Sequence, residues 1–472
     1  MSAARKHKQH PEATPGSPAA VPAAARDESS KTPEVQVQLN WFLRVFGNAR
    51  WQFITIPLLS IVVSLLAITI IVSTMGKNPL YVFTTFLQGA GWMLKPAYAG
   101  GFGMLTDLST TLTAFTPMLF AALAVTIAFR GGLFNIGVSG QMLAAGFLAS
   151  IIVGYSGLAA YIAKPLVLLI GLVVGALVGS LIGFLKYRFN INEVVTSIML
   201  NYIIQYAVSF FINTRFVDPI SRQSKVVSPA SMLVLSNVKL GSIQVSIPLC
   251  FILALLLAVA LQFFLSKTRM GFEIKAVGAN RRGAQYAGIR VKRTILITMT
   301  LSGALAGLAG VSYYLGYLNC IQPDTLTSVG FDSIAVALLG NAHPIGNIAS
   351  SFLITTLDTG STYMSSMMGV RVEIAQLVTG LILLFSACSA FFRWRIELSR
   401  QKAEMRAHEA AAGGAGGAGD TGAGGSGAGG GSDAGGIGAG GATVVNGEPV
   451  IEQPVRPVGS NPAELAEGGE AL

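Results

Sequence analysis

Between residues 54 and 392 the chain alternates long apolar runs with short polar interruptions. Ten runs stand out, near 54–75, 108–129, 138–155, 158–185, 194–212, 247–266, 294–316, 327–341, 347–366 and 373–392. Most approach the roughly 20 residues that a helix needs to cross about 30 Å of hydrocarbon. The run at 327–341 is short enough to be a half-crossing. The pattern predicts an all-α integral membrane protein, a polytopic bundle of about ten transmembrane helices. Composition agrees: 52% of residues are hydrophobic and 11% charged, against about 25% charged in soluble domains.

The flanks have another character. Residues 1–45 are rich in Ala, Pro and charge and lack an apolar period, which predicts a disordered basic arm. The first apolar run begins only near Ile54, so no early signal peptide is expected. A transmembrane domain is predicted over 50–395, followed at 403–472 by a disordered tail whose Gly/Ala tract, "AAGGAGGAGDTGAGGSGAGGGSDAGGIGAGG" from Ala411, cannot build a core.

Charge sets the orientation. The net charge of +10 raises the possibility of nucleic acid, but Lys and Arg cluster beside the apolar ends, as charges that fix topology do, and no nucleic-acid partner is expected. Their asymmetry places both termini in the cytoplasm. The loop Lys267 to Arg293 weighs most, with Lys267, Arg269, Lys275, Arg281, Arg282, Arg290, Lys292 and Arg293. The long external loop Asn213 to Ser246 is a local exception, carrying Arg215, Arg222, Lys225 and Lys239. Cys250, Cys320 and Cys388 lie in or beside apolar segments without disulfide or zinc spacing, and with 4 histidines in the chain no metal site is expected.

Three stretches depart from plain membrane helix. In "RGGLFNIGVSGQM", Arg130 to Met142, Arg130 suits the cytoplasmic edge of a crossing. Asn135 and Gln141 then enter the membrane among Gly131, Gly132, Gly137 and Gly140, which permit a broken or re-entrant helix. Buried amides require partners, and either neighbouring helices or a polar solute can supply them. In "FNINEVVTSIMLNYI", Phe189 to Ile203, the residues Glu193, Thr196, Ser197 and Asn201 recur at steps that gather them on one helix face. That stripe either packs against the bundle or lines a path, and Asn192 and Glu193 suit the first turn of a capped helix. The loop "KTRMGFEIKAVGANRRGAQYAGIRVKR" is too polar to cross. A surface helix is expected from Phe272 to Ala287, with Gly278 and Gly288 marking bends or ends. Such a helix serves equally as a docking surface or as an element held by anionic lipid.

Two acidic residues, Asp332 and Asp358, fall in or beside apolar runs. For Asp358, in "LITTLDTGSTYM", proton coupling, acceptance of hydrogen bonds from sugar hydroxyls, and a helix-capping role before Ser361 all remain open. No phosphate-binding loop and no nucleophile with a convergent base is readable. The chain is expected to be no enzyme, with no catalytic residue and no bound cofactor.

In these stretches the chain resembles the membrane permeases of ABC importers, in the branch that serves nucleosides and simple sugars and is related to ribose and branched-chain amino-acid permeases. The resemblance rests on "FRGGLFNIGVSGQ", "NEVVTSIMLNYI", "GFEIKAVGANRRGAQYAGI" and "GFDSIAVALLGNAHPIGN", and it spans roughly Ile54 to Phe392 in order. One departure is Ser139, where the family often carries an acidic residue. The resemblance implies half of a translocation pore in a bacterial plasma membrane, completed by a second permease as a heterodimer. It also implies an extracellular solute-binding lipoprotein, and a cytoplasmic ATPase that holds ATP and magnesium. The ATPase would dock on a coupling helix comprising Gly271, Glu273, Ala276, Gly278, Asn280, Arg281, Arg282, Ala287 and Gly288.

The sequence thus suggests import of nucleosides or a related sugar-bearing solute along a path lined by Asn135, Gln141, Thr196, Asn201, Asn341 and Asp358. Ribose, galactose and branched-chain amino acids are alternative cargoes. Competing accounts are a secondary transporter using Asp358 or Glu193 for proton coupling, and a structural membrane anchor.

Overall fold

A computed structural model describes residues 78–96, 103–240 and 243–368, together with a few isolated flanking positions. The runs expected at 54–75 and 373–392, and both terminal tails, lie outside the described residues. The helices are α1 (Pro79–Gly89), α2 (Met104–Arg130), α3 (Val138–Ala149), α4 (Ala160–Phe189), α5 (Glu193–Phe211), α6 (Cys250–Lys267), α7 (Arg269–Ala279), α8 (Arg281–Tyr286), α9 (Val291–Ser312), α10 (Val329–Leu339) and α11 (Pro344–Met368). Single π-helical turns extend α3 to Gly154, α5 to Phe216 and α9 to Tyr317. Five of these elements, α2, α4, α5, α6 and α9 with their extensions, are long and apolar enough to cross a membrane; α3 and α10 are shorter apolar helices. The chain is a polytopic membrane protein.

The all-α expectation needs one correction. Strands β1 (Val234–Leu240) and β2 (Ile243–Pro248) form an antiparallel hairpin inside the segment read as a long loop. The alternation in "NVKL", which ends β1, and in "IQVSIP" is period two, which suits a strand. The ladder pairs Val238 with Val245 and Leu240 with Ile243, with an irregularity between Leu235 and Val238. The hairpin sits over the start of α2, where Ser246 N–H donates to Ser109 Oγ at 3.2 Å. This is the hairpin end of the bundle; α7 and α8 mark the opposite, loop end. A second unforeseen element is α1, whose Asn78 side chain caps the Leu80 N–H at 3.0 Å ahead of Pro79 in the first turn.

Packing follows the logic of a lipid solvent. Helix α4 turns Gly171, Gly175, Gly179 and Gly183 inward and Leu169, Leu172, Leu177, Leu181 and Phe184 outward. A Cβ added at Gly175 would run into the backbone of Gly303 and Gly307 on α9, so the two helices touch main chain to main chain. Small residues four apart allow such an approach where lipid removes the hydrophobic incentive to bury large ones. Helix α2 is the central post: from Phe115 to Ala128 every residue is buried. Its Pro117 leaves the Thr113 carbonyl without the usual donor, while the Thr113 hydroxyl donates to Ser109 O at 2.8 Å.

Candidate functional site

The chain between α2 and α3 is not helical, yet it lies inside the protein. Gly131 and Gly132 end α2, and Gly132 adopts φ +65, a left-handed turn that favours glycine. Leu133, Asn135, Ser139 and Gln141 are all buried. Backbone outside a helix at this depth must have its polar groups met by protein. Asn135 Oδ1 accepts from the Gly137 N–H at 3.0 Å, and its Nδ2 donates to Ser302 Oγ at 2.9 Å and to Gln141 Oε1 at 3.2 Å. Ser302 Oγ passes the chain on to Ala124 O at 2.6 Å. From α5, Asn201 Oδ1 accepts the Gly140 N–H and its Nδ2 donates to Ile136 O, both at 3.0 Å. Asn201 thereby caps the start of α3 from another helix, satisfying groups that a helix N-terminus leaves open. Ser139 Oγ donates to Thr327 O at 3.0 Å, so this position holds the entry to α10 without a charge.

Of the residues expected along a solute path, Asn135, Gln141 and Asn201 are therefore brought together at the start of α3, bonded to one another's side chains or to the chain's own backbone, while Thr196 is buried earlier on α5. Thr196 donates to Asn192 O at 3.0 Å. Asn192 caps α5 by accepting the Val194 N–H at 2.9 Å, and Glu193 pairs with Lys186 at 2.7 Å. Asn341 stands apart at the loop end, exposed and at φ +57 in the turn between α10 and α11. The same turn is held by Arg130, whose Nε donates to Ala342 O at 2.7 Å.

Asp358 lies elsewhere again, exposed on α11. It shares an electrostatic neighbourhood with Asp332 of α10 and with Tyr313 and Tyr317 in the π turn of α9. The rings of Tyr313 and Tyr317 lie 5.8 Å apart. Two carboxylates and two phenols from three helices form a group able to accept hydroxyls and face an aromatic ring. Sequence reasoning missed the tyrosines. The signal available was "YYLGY" closing an apolar helix, since π turns frequently sit at functional positions.

The loop from Lys267 folds as two helices, where one was expected from Phe272 to Ala287. The break falls at Asn280, ahead of the expected Gly288 and beyond Gly278, because the Asn280 side chain accepts the Gly283 N–H at 3.0 Å and starts α8. Thr268 caps α7 in the same way through Gly271 N–H at 3.0 Å. Gly288, at φ +79, follows the end of α8. Gly271, Ile274 and Val277 are buried beneath α7. A Cβ at Gly278 would strike Arg130 O, and one at Gly132 would come within 2.9 Å of Gly278 Cα. Arg281 Nη2 adds a hydrogen bond to Gly132 O at 3.0 Å. The surface helices thus rest on the same non-helical link that carries Asn135. Outward they expose Asn280, Arg282, Ala287 and Gly288, along with Phe272 and, 93% exposed, Tyr286; Glu273 and Ala276 are half-buried.

Among the described residues no group of three metal-ligating side chains occurs. Cys250 and Cys320 are free thiols.

Residues 108–387 match the family described as branched-chain amino acid transport system, permease component. The nucleoside ABC transporter permease protein NupB of Lactococcus lactis is 33% identical over 371 residues, covering 77% of this chain and 98% of the relative. The guanosine ABC transporter permease protein NupP of Bacillus subtilis is 35% identical over 348 residues, covering 73% and 96%. A second L. lactis nucleoside permease, NupC, is 27% identical over 243 residues, covering 50% of this chain and 76% of its own.

Proposed function

This chain belongs to the family of permease components of branched-chain amino-acid-type transport systems, and we propose that it imports nucleosides, or a related sugar-bearing solute, as one permease subunit of an ATP-binding cassette transporter. The observation that carries this reading is the seat of α7 and α8 on the link between α2 and α3. An exposed element with aromatic and basic groups is fixed, main chain to main chain, to a buried break in the membrane bundle. A force applied to Phe272, Arg282 or Tyr286 by an ATPase reaches Arg130, Gly132 and Asn135 through packed backbone. Packed interfaces of this kind shift between discrete arrangements instead of deforming smoothly.

In this reading α7 and α8 are the coupling element, ATP and magnesium belong to the partner ATPase, and the loop end faces the cytoplasm of a bacterium with both termini on that side. Asn135, Gln141, Thr196 and Asn201 hold the break in shape and change partners as the path opens. The solute meets the group around Asp358, where carboxylates take ribose hydroxyls and tyrosines face the base, with Asn341 at the inner exit. These contacts must stay weak enough to release the solute. The nucleoside-transporting relatives support this cargo over branched-chain amino acids. Two different permeases in L. lactis support a pore shared with a second, non-identical subunit. At the hairpin end the exposed Arg215, Arg222, Lys225 and Lys239 offer a basic surface for an acidic rim on a solute-binding lipoprotein.

The test is uptake of labelled guanosine and ribose by cells with the chain deleted, then restored. Loss of guanosine uptake, with ribose uptake unchanged and guanosine uptake restored by the chain, is the expected result. Normal guanosine uptake in the deletion strain would overturn the reading and favour a structural anchor.

A further inference from the structure

Two cavities lie in line along α6 and α9. The first, about 660 Å³, is lined by Thr268, Arg269, Met270, Glu273, Gly288, Arg290 and Arg293 at the loop end. The second, about 260 Å³, is an apolar slot whose walls include Leu257, Leu261 and Phe264 of α6 and Leu301, Leu305 and Leu308 of α9. Phe264 of the slot and Thr268 of the basic cavity are one helical turn apart, joined by a hydrogen bond of 2.6 Å from the Thr268 hydroxyl to the Phe264 carbonyl. Along α9 the slot begins about 12 Å and ends about 22 Å beyond Arg293, at 1.5 Å per residue.

Those dimensions match a single leaflet, in which about 15 Å of hydrocarbon lies beneath a headgroup layer. The charge balance selects the headgroup. Glu273 pairs with Arg269 at 3.1 Å, which occupies one of five guanidinium N–H groups. Among the described residues, Arg290 and Arg293 enter no salt bridge. Guanidinium groups that converge on one cavity are suited to bidentate phosphate binding.

We propose that this cleft binds one anionic phospholipid of the leaflet at the loop end, its phosphate on Arg269, Arg290 and Arg293 and one acyl chain in the slot. Charge complementarity fixes the head, and the slot lies at the depth where a chain hangs from it. A soluble partner protein cannot reach that slot, whereas free phosphate has no use for it. The site sits at the roots of α7 and α9, so the lipid braces the surface helices against the membrane. It does not depend on which solute the bundle carries.

The test purifies the assembled transporter from membranes containing phosphatidylglycerol and phosphatidylethanolamine, then measures co-purified lipid by mass spectrometry. Phosphatidylglycerol should be enriched over its share in the bulk membrane. Arg269→Ala with Arg293→Ala should cut that enrichment roughly thirtyfold, at about 1 kcal/mol per basic residue near an anionic surface. Ala304 also lines the slot; Ala304→Phe fills it without touching a charge and should lower lipid retention too. A thermal melt confirms that each variant is folded. Arg222→Ala, at the hairpin end, should leave the lipid content unchanged. Millimolar inorganic phosphate should not displace the lipid; full displacement would show a bare phosphate site and overturn the proposal. Enrichment untouched by both cleft variants would also overturn it, as would loss of the ATPase from the double arginine variant with lipid content unchanged, which would assign the arginines to protein docking.

Discussion

Two polar regions interrupt the apolar bundle, and they spend their hydrogen bonds differently. Around the break between α2 and α3, Asn135 and Asn201 donate to Ser302 and Ile136 and accept from Gly137 and Gly140. Around Asp358, carboxylates and phenols from α9, α10 and α11 gather with Asp358 itself exposed. Both regions look alike as polar letters in an oily sequence. The first is a structural joint whose groups are occupied, and the second is a surface with capacity left over. A polar residue in a membrane helix therefore reveals its role through its partners more than through its type.

The largest effect that sharpens this contrast is expected at the joint's contact with α7. Gly278→Val puts a branched side chain against the Arg130 carbonyl and the Gly132 backbone. Overpacking costs about 1–3 kcal/mol, and α7 can relieve it only by lifting off the link. ATP-driven uptake should fall at least about tenfold while the protein still reaches the membrane. Unchanged uptake together with unchanged ATPase co-purification would break the proposed mechanical connection.

Next comes the joint itself. Asn201→Leu strands the Gly140 N–H and the Ile136 carbonyl, at about 1–3 kcal/mol for each buried group left unpaired. Folded yield and melting temperature should both drop. A variant of normal stability with impaired transport would instead return Asn201 to the solute path. For Asp358→Asn the contrast inverts: melting should stay within a degree or so of the parent while the half-saturating concentration of nucleoside rises several-fold, consistent with about 1 kcal/mol for a weakened charged hydrogen bond. Loss of folding there would erase the distinction between the two regions.

The smallest effects separate the two exposed arginines of α8. Arg281→Ala forfeits one hydrogen bond to Gly132 O, worth about 0.5–1.5 kcal/mol, and should lower the melting temperature slightly. Arg282→Glu faces outward and should leave melting unchanged while weakening ATPase co-purification.

The five helices between 104 and 317 that are long and apolar enough to cross were legible because length and apolarity alone decide them. The re-entrant break was legible too, through the glycines and amides of "RGGLFNIGVSGQM". What those amides do was not. Asn135 is completed by Ser302, which lies 167 positions away in the sequence, and Gly140 by Asn201, which lies 61 away. Only tertiary structure brings such partners together. The hairpin was not legible because its short strands sit in a charged segment between apolar runs, nor was α1, because 11 residues are too few for a span. Asp332 and Asp358 were weighed singly, since nothing in their spacing shows that Tyr313 and Tyr317 join them.

The central claim is that this chain moves solute through a partner's ATP hydrolysis, delivered through α7 and α8. Its most direct test compares two sets of vesicles. One holds the chain with its second permease, ATPase and binding protein; the other holds the chain alone under a proton gradient. Accumulation of labelled nucleoside in the first set only when ATP is supplied, and none in the second, is the predicted result. Uptake driven by the proton gradient in the second set would contradict the account and make Asp358 a coupling carboxylate instead of a solute contact.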